Sequence, residues 1–249
     1  MLMTPTMEKL RKLRFEGMLQ ALQEQQESSQ AQALSFEERL GLLIDREIVA
    51  RDNRQLQTRL RQAALRQKAC IQDIDYSLPR HLDTSLMQSL YSCNWIKEHL
   101  NLILTGPTGV GKSFIACALG HQACVQGYKV RYLRLSSILQ QLTLAQGDGT
   151  YFKKMQQLSK TDLLILDDWG LSVLSTQERR NLLEIFEDRH NRTSTIITSQ
   201  IPQSEWHAII GDPTLADAIL DRVVHNAYQI QLKGGSIRKK MYKLNVKED

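Results

Sequence analysis

Aromatic residues are scarce, at 6% of the 249-residue chain, and none falls in its most basic stretch, residues 51–68. A single nucleic-acid strand would find no stacking platform there. The four cysteines, Cys70, Cys93, Cys117 and Cys124, include no CxxC pair, which removes zinc-ribbon and thioredoxin-like patterns and leaves packed thiols as the expectation. No stretch approaches the about eighteen apolar residues of a membrane span. The opening Met1-Leu2-Met3-Thr4-Pro5 lacks a signal-peptide pattern, so the expected location is the cytoplasm, with no membrane partner. No repeat or low-complexity segment is present. Hydrophobic residues at 42% and charged residues at 24% are the proportions of a globular protein. The net charge of +5 is a modest excess, compatible with nucleic-acid binding without requiring it.

Residues 1–72 read as helices with no β pattern. Leu10, Leu13, Met18, Leu19 and Leu22 predict a first amphipathic helix interrupted at Gly17, followed by a polar connection over 24–32. Ser35 and Glu38 have the spacing of a capping box and open a second helix expected over 36–68. On that helix Leu42, Val49, Leu56, Leu60, Ala63 and Ala64 share one face, with Arg51, Arg54, Arg61 and Lys68 opposite and Arg59 and Arg66 in a second row. Six basic residues against one acidic residue, Asp52, occupy 51–68. The stripe reads either as a solvated face or as a track for duplex phosphates, which carry one charge per about 1.7 Å. Near residue 73 the pattern changes. Strands are predicted at 102–105, 129–134, 162–167, 194–198 and 228–232. Helices are predicted at 83–91, 112–126, 136–144, 176–190, 203–210 and 214–226. That alternation implies an α/β domain over 73–249, a parallel sheet flanked by helices, behind a small all-helical domain over 1–72. The charged end, from Lys239-Lys240 to Asp249, is expected to fray.

The chemistry starts at Gly106-Pro107-Thr108-Gly109-Val110-Gly111-Lys112-Ser113, a complete phosphate-binding loop between an apolar strand and an apolar helix that begins at Phe114. Bare glycine backbone lets successive N–H groups curl around phosphate oxygens. Lys112 reaches the β- and γ-phosphates, and Ser113 is placed to sit on Mg²⁺. ATP with Mg²⁺ is the expected cofactor pair. The run Leu163-Leu164-Ile165-Leu166-Asp167-Asp168 ends a buried strand in two carboxylates. Asp167 is the candidate to hold Mg²⁺. Strand alternation sends Asp168 to the other face, as the candidate to orient and deprotonate attacking water. A third polar strand end, Thr198-Ser199-Gln200, offers Ser199 or, preferentially, Gln200 to the γ-phosphate. Arg222 and Arg238 are candidates to stabilise charge on a transferring phosphoryl group, in cis or from a neighbouring subunit.

These motifs resemble the AAA+ ATPases, and within them the group of IstB-type transposition helper proteins and DnaC-type helicase loaders. The likeness spans nearly the whole chain. It is carried by the phosphate loop, by 164–170 (Leu-Ile-Leu-Asp-Asp-Trp-Gly), by 196–200 (Ile-Ile-Thr-Ser-Gln), by 217–222 (Asp-Ala-Ile-Leu-Asp-Arg) and by 232–238 (Leu-Lys-Gly-Gly-Ser-Ile-Arg). The last two look like the arginine-finger segment, ending in Arg222, and the second sensor, ending in Arg238. Residues 13–18, 36–40 and 43–47 look like IstB rather than a helicase loader. Two departures stand out: the second acid, usually Glu, is Asp168, and Gly235 replaces a usual acidic residue. The resemblance implies an ATPase that assembles as a homo-oligomer on duplex DNA with little sequence preference and recruits and stimulates a partner transposase. Hydrolysis would reset the complex, and the helix over 36–68 would serve both DNA contact and self-association. The alternative it implies is a replicative helicase loader.

Overall fold

The structure, a computed structural model, describes residues 3–237. Arg238 and the charged end lie outside the described residues. Contacts divide the chain into two units, Met1–Thr58 and Arg59–Asp249.

The first unit contains helices α1 (Met3–Lys12), α2 (Glu16–Glu27) and α3 (Ser29–Gln32) and most of α4 (Phe36–Ala63). The capping box opens α4: Glu38 N–H donates to Ser35 Oγ at 3.2 Å, and Ser35 N–H donates to Glu38 Oε2 at 2.8 Å. The first break falls at Arg14, whose φ is +60°, and not at Gly17. Gly17 lies inside α2, where a Cβ would come within 2.6 Å of the Arg46 carbonyl oxygen and 2.7 Å of Glu47 Cα. It is a helix-crossing glycine rather than a helix breaker. Glu47, buried beneath that crossing, accepts from the N–H groups of Gly17 (2.7 Å) and Met18 (3.2 Å) at the start of α2, where a negative charge complements the helix dipole. Arg51 and Arg54 reach the other oxygen of Glu47 at 2.7 and 3.1 Å. Burial opposes the charged form of Glu47, but these donors outweigh it and hold the carboxyl below its usual range.

Helix α4 ends sooner than 36–68 because Ala64 turns left-handed at φ +49°. Arg66 and Lys68 therefore lie beyond it, and the basic residues do not form one helical stripe. Leu42 and Val49, expected on an apolar face, are about half exposed.

In the second unit α5 (Thr84–Tyr91) and α6 (Asn94–Lys97) lead into β1 (Asn101–Thr105), α7 (Lys112–Val125), β2 (Val130–Arg134), α8 (Leu135–Asp148) and α9 (Tyr151–Ser159). Then follow β3 (Leu163–Trp169), α10 (Thr176–Arg189), β4 (Ser194–Ser199), α11 (Trp206–Ile210), α12 (Pro213–Val224) and β5 (Ala227–Gln231). The five strands form one parallel sheet in the order β2-β3-β4-β1-β5. Central strands are covered on both faces, which is why β1, β3 and β4 are nearly continuous buried runs, while edge strand β2 alternates and edge strand β5 buries only Ile230. Ser175 and Glu178 form a second capping box on α10, and Asp212 caps α12 ahead of Pro213. Trp169 stacks on Trp206 with ring centroids 4.8 Å apart in the core. Cys93, Cys117 and Cys124 are buried free thiols, as the spacing implied, and Cys70 is partly exposed. No described helix is long and apolar enough to cross a membrane.

Arg189 is 2% exposed and, among the described residues, reaches no carboxylate within ion-pair distance. Its guanidinium instead donates to the carbonyls of Leu158, Thr161 and Ser194 and to Thr195 Oγ1, tying α9 and α10 to β4. Arg189→Met should cost about 3 kcal/mol, because those carbonyls lose their donor in the interior, and calorimetric unfolding should show a Tm lower by several degrees.

Candidate nucleotide site

The phosphate loop connects β1 to α7, so the strand end and the helix N-terminus aim at the same point. Gly111 adopts φ +100°, a backbone conformation that favours glycine, and a Cβ there would push on the Arg80 guanidinium, 2.8 Å away. Val110 is buried beneath the loop. Lys112 Nζ donates to the carbonyls of Gly106 at 2.7 Å and Pro107 at 2.9 Å. Beside the loop opens a cavity of about 730 Å³, lined among others by Thr108, Gly109, Ser113, Phe114, Asp168 and Gln200, a volume suited to a nucleotide.

Asp167 sits at the floor of this site with no solvent exposure. Ser113 Oγ donates to its two oxygens at 2.9 and 3.0 Å, and the hydroxyls of Tyr132 and Thr198 also donate to it. Burial works against the charge, yet the hydrogen bonds from Thr198, Tyr132 and Ser113 and the nearby Arg66 hold the carboxyl below its usual range. It is a carboxylate at neutral pH. Burial and the adjacent carboxylate push the Tyr132 phenol upward, so it remains a donor.

The two acids do not point to opposite faces as strand alternation predicts. The β3–β4 register shifts between Leu166 and Trp169, and Asp168 sits at this bulge with φ +64°. The result brings both carboxylates to one guanidinium: Arg66 Nη1 lies 3.4 Å from Asp167 Oδ2 and 3.8 Å from Asp168 Oδ2. Arg134 Nε lies 3.8 Å from Asp168.

At the end of β4, Ser199 is fully buried, its hydroxyl donating to the carbonyls of Trp169 and Ile201. Gln200 is at the cavity wall and accepts from Thr108 Oγ1. Arg222 is not with these groups. Its carbonyl accepts from Asn101, the first residue of β1, whereas the phosphate loop follows the last, and its Nη2 pairs with Glu187 at 2.8 Å. The basic residues are spread out: Arg59 Nε donates to the Cys124 carbonyl at 2.8 Å, Arg66 faces the acids, and Arg61 and Lys68 are exposed. Sequence reasoning missed the places of Tyr132, Thr198, Arg134 and Arg80. Arg80 is 4% exposed and its Nε has no partner among the described residues. Only Thr198 carried a signal, since it belongs to the polar end of β4.

Serine and carboxylate oxygens side by side suit Mg²⁺, which takes one or two carboxylates and completes its shell with phosphate oxygens and water. The described residues contain no cluster of three or more His, Cys, Asp or Glu able to form a protein-only cage.

A model of the family described as IstB-like ATP binding protein matches residues 8–245. The chain belongs to the IstB-like ATP binding protein family. This IstB-like protein is 50% identical over 239 residues to the insertion sequence ATP-binding protein y4pL of Sinorhizobium fredii, covering 96% of this chain and 98% of that one. It is also 50% identical over 200 residues to the ATP-binding protein of insertion sequence IS1162 from Pseudomonas fluorescens, covering 80% and 87%. Among solved structures it resembles DnaI, with TM-score 0.57, 20% identity and coverage of 66% and 91%. It also resembles the DnaC helicase loader, with TM-score 0.51, 17% identity and coverage of 70% and 99%. At these identities the likeness is one of fold, the AAA+ P-loop architecture of a parallel sheet between helices. The IstB-like protein thus combines membership of an ATP-binding family with the AAA+ P-loop fold.

Proposed function

We propose that this protein is an ATP-dependent regulator of DNA transposition, whose ATP-bound subunits assemble on duplex target DNA in the cytoplasm and recruit a partner transposase, hydrolysis then resetting the complex. The observation that carries the ATPase part is the convergence of the phosphate loop, Asp168 and Gln200 on one cavity, with Asp167 hydrogen-bonded to Ser113 of the loop. In this reading Lys112 binds the β- and γ-phosphates and the loop 106–114 cradles them. Ser113 and Asp167 hold Mg²⁺, which when bound neutralises charge on the phosphate oxygens. Asp168 orients and deprotonates the attacking water, with Gln200 positioning water or γ-phosphate. Arg222 serves a neighbour's site, and Arg238 senses the nucleotide in its own.

The insertion-sequence setting of the relatives supports the transposase as partner. Retention on immobilised duplex DNA tests this: with ATP the protein should hold the transposase of its own insertion sequence and release it as ATP is consumed. Retention of a replicative helicase in its place would support the loader reading.

For DNA contact, Arg61 and Lys68 are the clean probes, because Arg51 and Arg54 also serve Glu47. Arg61→Glu combined with Lys68→Glu should weaken duplex binding by a similar factor across sequences and lower the salt slope by about 2. An unchanged slope would leave both residues merely solvated.

A further inference from the structure

Arg66 is held in place by features independent of the acids it meets. The left-handed turn at Ala64 ends α4, and Leu65 then packs at the Gly120 surface of α7, where a glycine Cβ would come within 3.1 Å of Leu65 Cδ2. The next two backbone N–H groups, of Arg66 and Gln67, face the buried Cys117 sulfur. Ala69 is buried just beyond. This segment delivers the guanidinium to the point where Asp167, Asp168 and the Tyr132 hydroxyl meet, with the side chain still about one-third exposed to the cavity. Two adjacent carboxylates repel each other, and a cation between them relieves that repulsion. A divalent metal carries twice the charge and competes for the same oxygens.

We propose that Arg66 is a tethered counter-cation of the acidic pair, which Mg²⁺ displaces when the nucleotide is loaded. The idea rests on the proposed Mg²⁺ role of Asp167 and adds a regulation to it. Before loading, the arginine shields the pair and raises the metal concentration needed. After loading, the Arg66 side chain is freed from the acids, while the packing that holds its segment stays in place. ATP occupancy and the basic segment are thereby linked through one side chain. Arg134, half exposed and near Asp168 alone, leaves Asp167 to Arg66.

The test is Mn²⁺ titration followed by electron paramagnetic resonance on the full chain, with and without a non-hydrolysable ATP analogue. Without nucleotide, R66Q should bind Mn²⁺ about tenfold more tightly than the native protein, and R66K, which keeps a charge, should fall closer to native. Equal or weaker binding by R66Q overturns the proposal. Native protein that binds Mn²⁺ with the analogue shows the metal reading to stand even if Arg66 fails its own test. Native protein that binds no Mn²⁺ with the analogue overturns both.

Discussion

Arg222→Ala is expected to bind ATP nearly normally and to hydrolyse it about 10³–10⁵-fold more slowly, the range found where arginine fingers are removed. The residue lies toward the end of β1 opposite the phosphate loop, so its guanidinium serves a phosphate only if another subunit presents one. Its present partner, Glu187, is half exposed, and an exchange of that surface carboxylate for a phosphate costs little. Mixing Arg222→Ala with Asp168→Asn should restore turnover at interfaces where an intact Asp168 faces an intact Arg222. Asparagine tolerates the left-handed backbone at 168 as aspartate does, so that variant removes charge without disturbing the bulge. Steady-state ATPase measured across mixing ratios, with DNA present and subunits exchanging, reads the result. Mixed assemblies that regain nothing at any ratio would place Arg222 in cis or in a structural role.

Lys112→Ala should lose ATP binding. The ammonium is already held at the loop by two carbonyls, so it is poised to meet phosphate oxygens with little reorganisation. Two charge-assisted hydrogen bonds of about 1.5–3 kcal/mol each correspond to roughly 10²–10⁴ in affinity. Asp168→Asn should bind ATP as the native protein does and fail in turnover. Titration of a fluorescent ATP analogue separates the two, and equal losses would contradict the division between binding and chemistry.

The sheet and most of its helices were legible because parallel strands buried on both faces leave continuous apolar runs, as at Leu163-Leu164-Ile165-Leu166, and because helix starts carry caps. The phosphate loop and acidic strand were legible for a chemical reason: phosphate needs bare backbone, and a metal needs oxygen at a strand end. Helix α9 carries helical spacing at Tyr151, Met155 and Leu158, but it is only nine residues long and went unread between α8 and β3. The end of α4 was hidden because Ala64, Leu65, Arg66, Gln67 and Lys68 favour helix intrinsically, and packing on α7 overrides them. Arg66 belonged, by charge and spacing, with the surface arginines. Its place among the acids depends on that tertiary turn. Tyr132 and Thr198 reach Asp167 from neighbouring strands, a relation fixed by sheet order rather than by local sequence.

The left-handed backbone at Asp168 also explains the length of the second acid. Short Asp and Asn side chains hydrogen-bond locally and adopt this conformation readily, whereas longer residues seldom do. A glutamate would gain one methylene of reach but carry about 1 kcal/mol or more of strain, or straighten the bulge and turn its carboxylate to the opposite face. Acid length and strand irregularity are therefore coupled: exchanging Asp168 for glutamate would mean re-laying the end of β3 at the same time, so the bend of the backbone, and not the reach of the side chain, sets where this carboxylate lies.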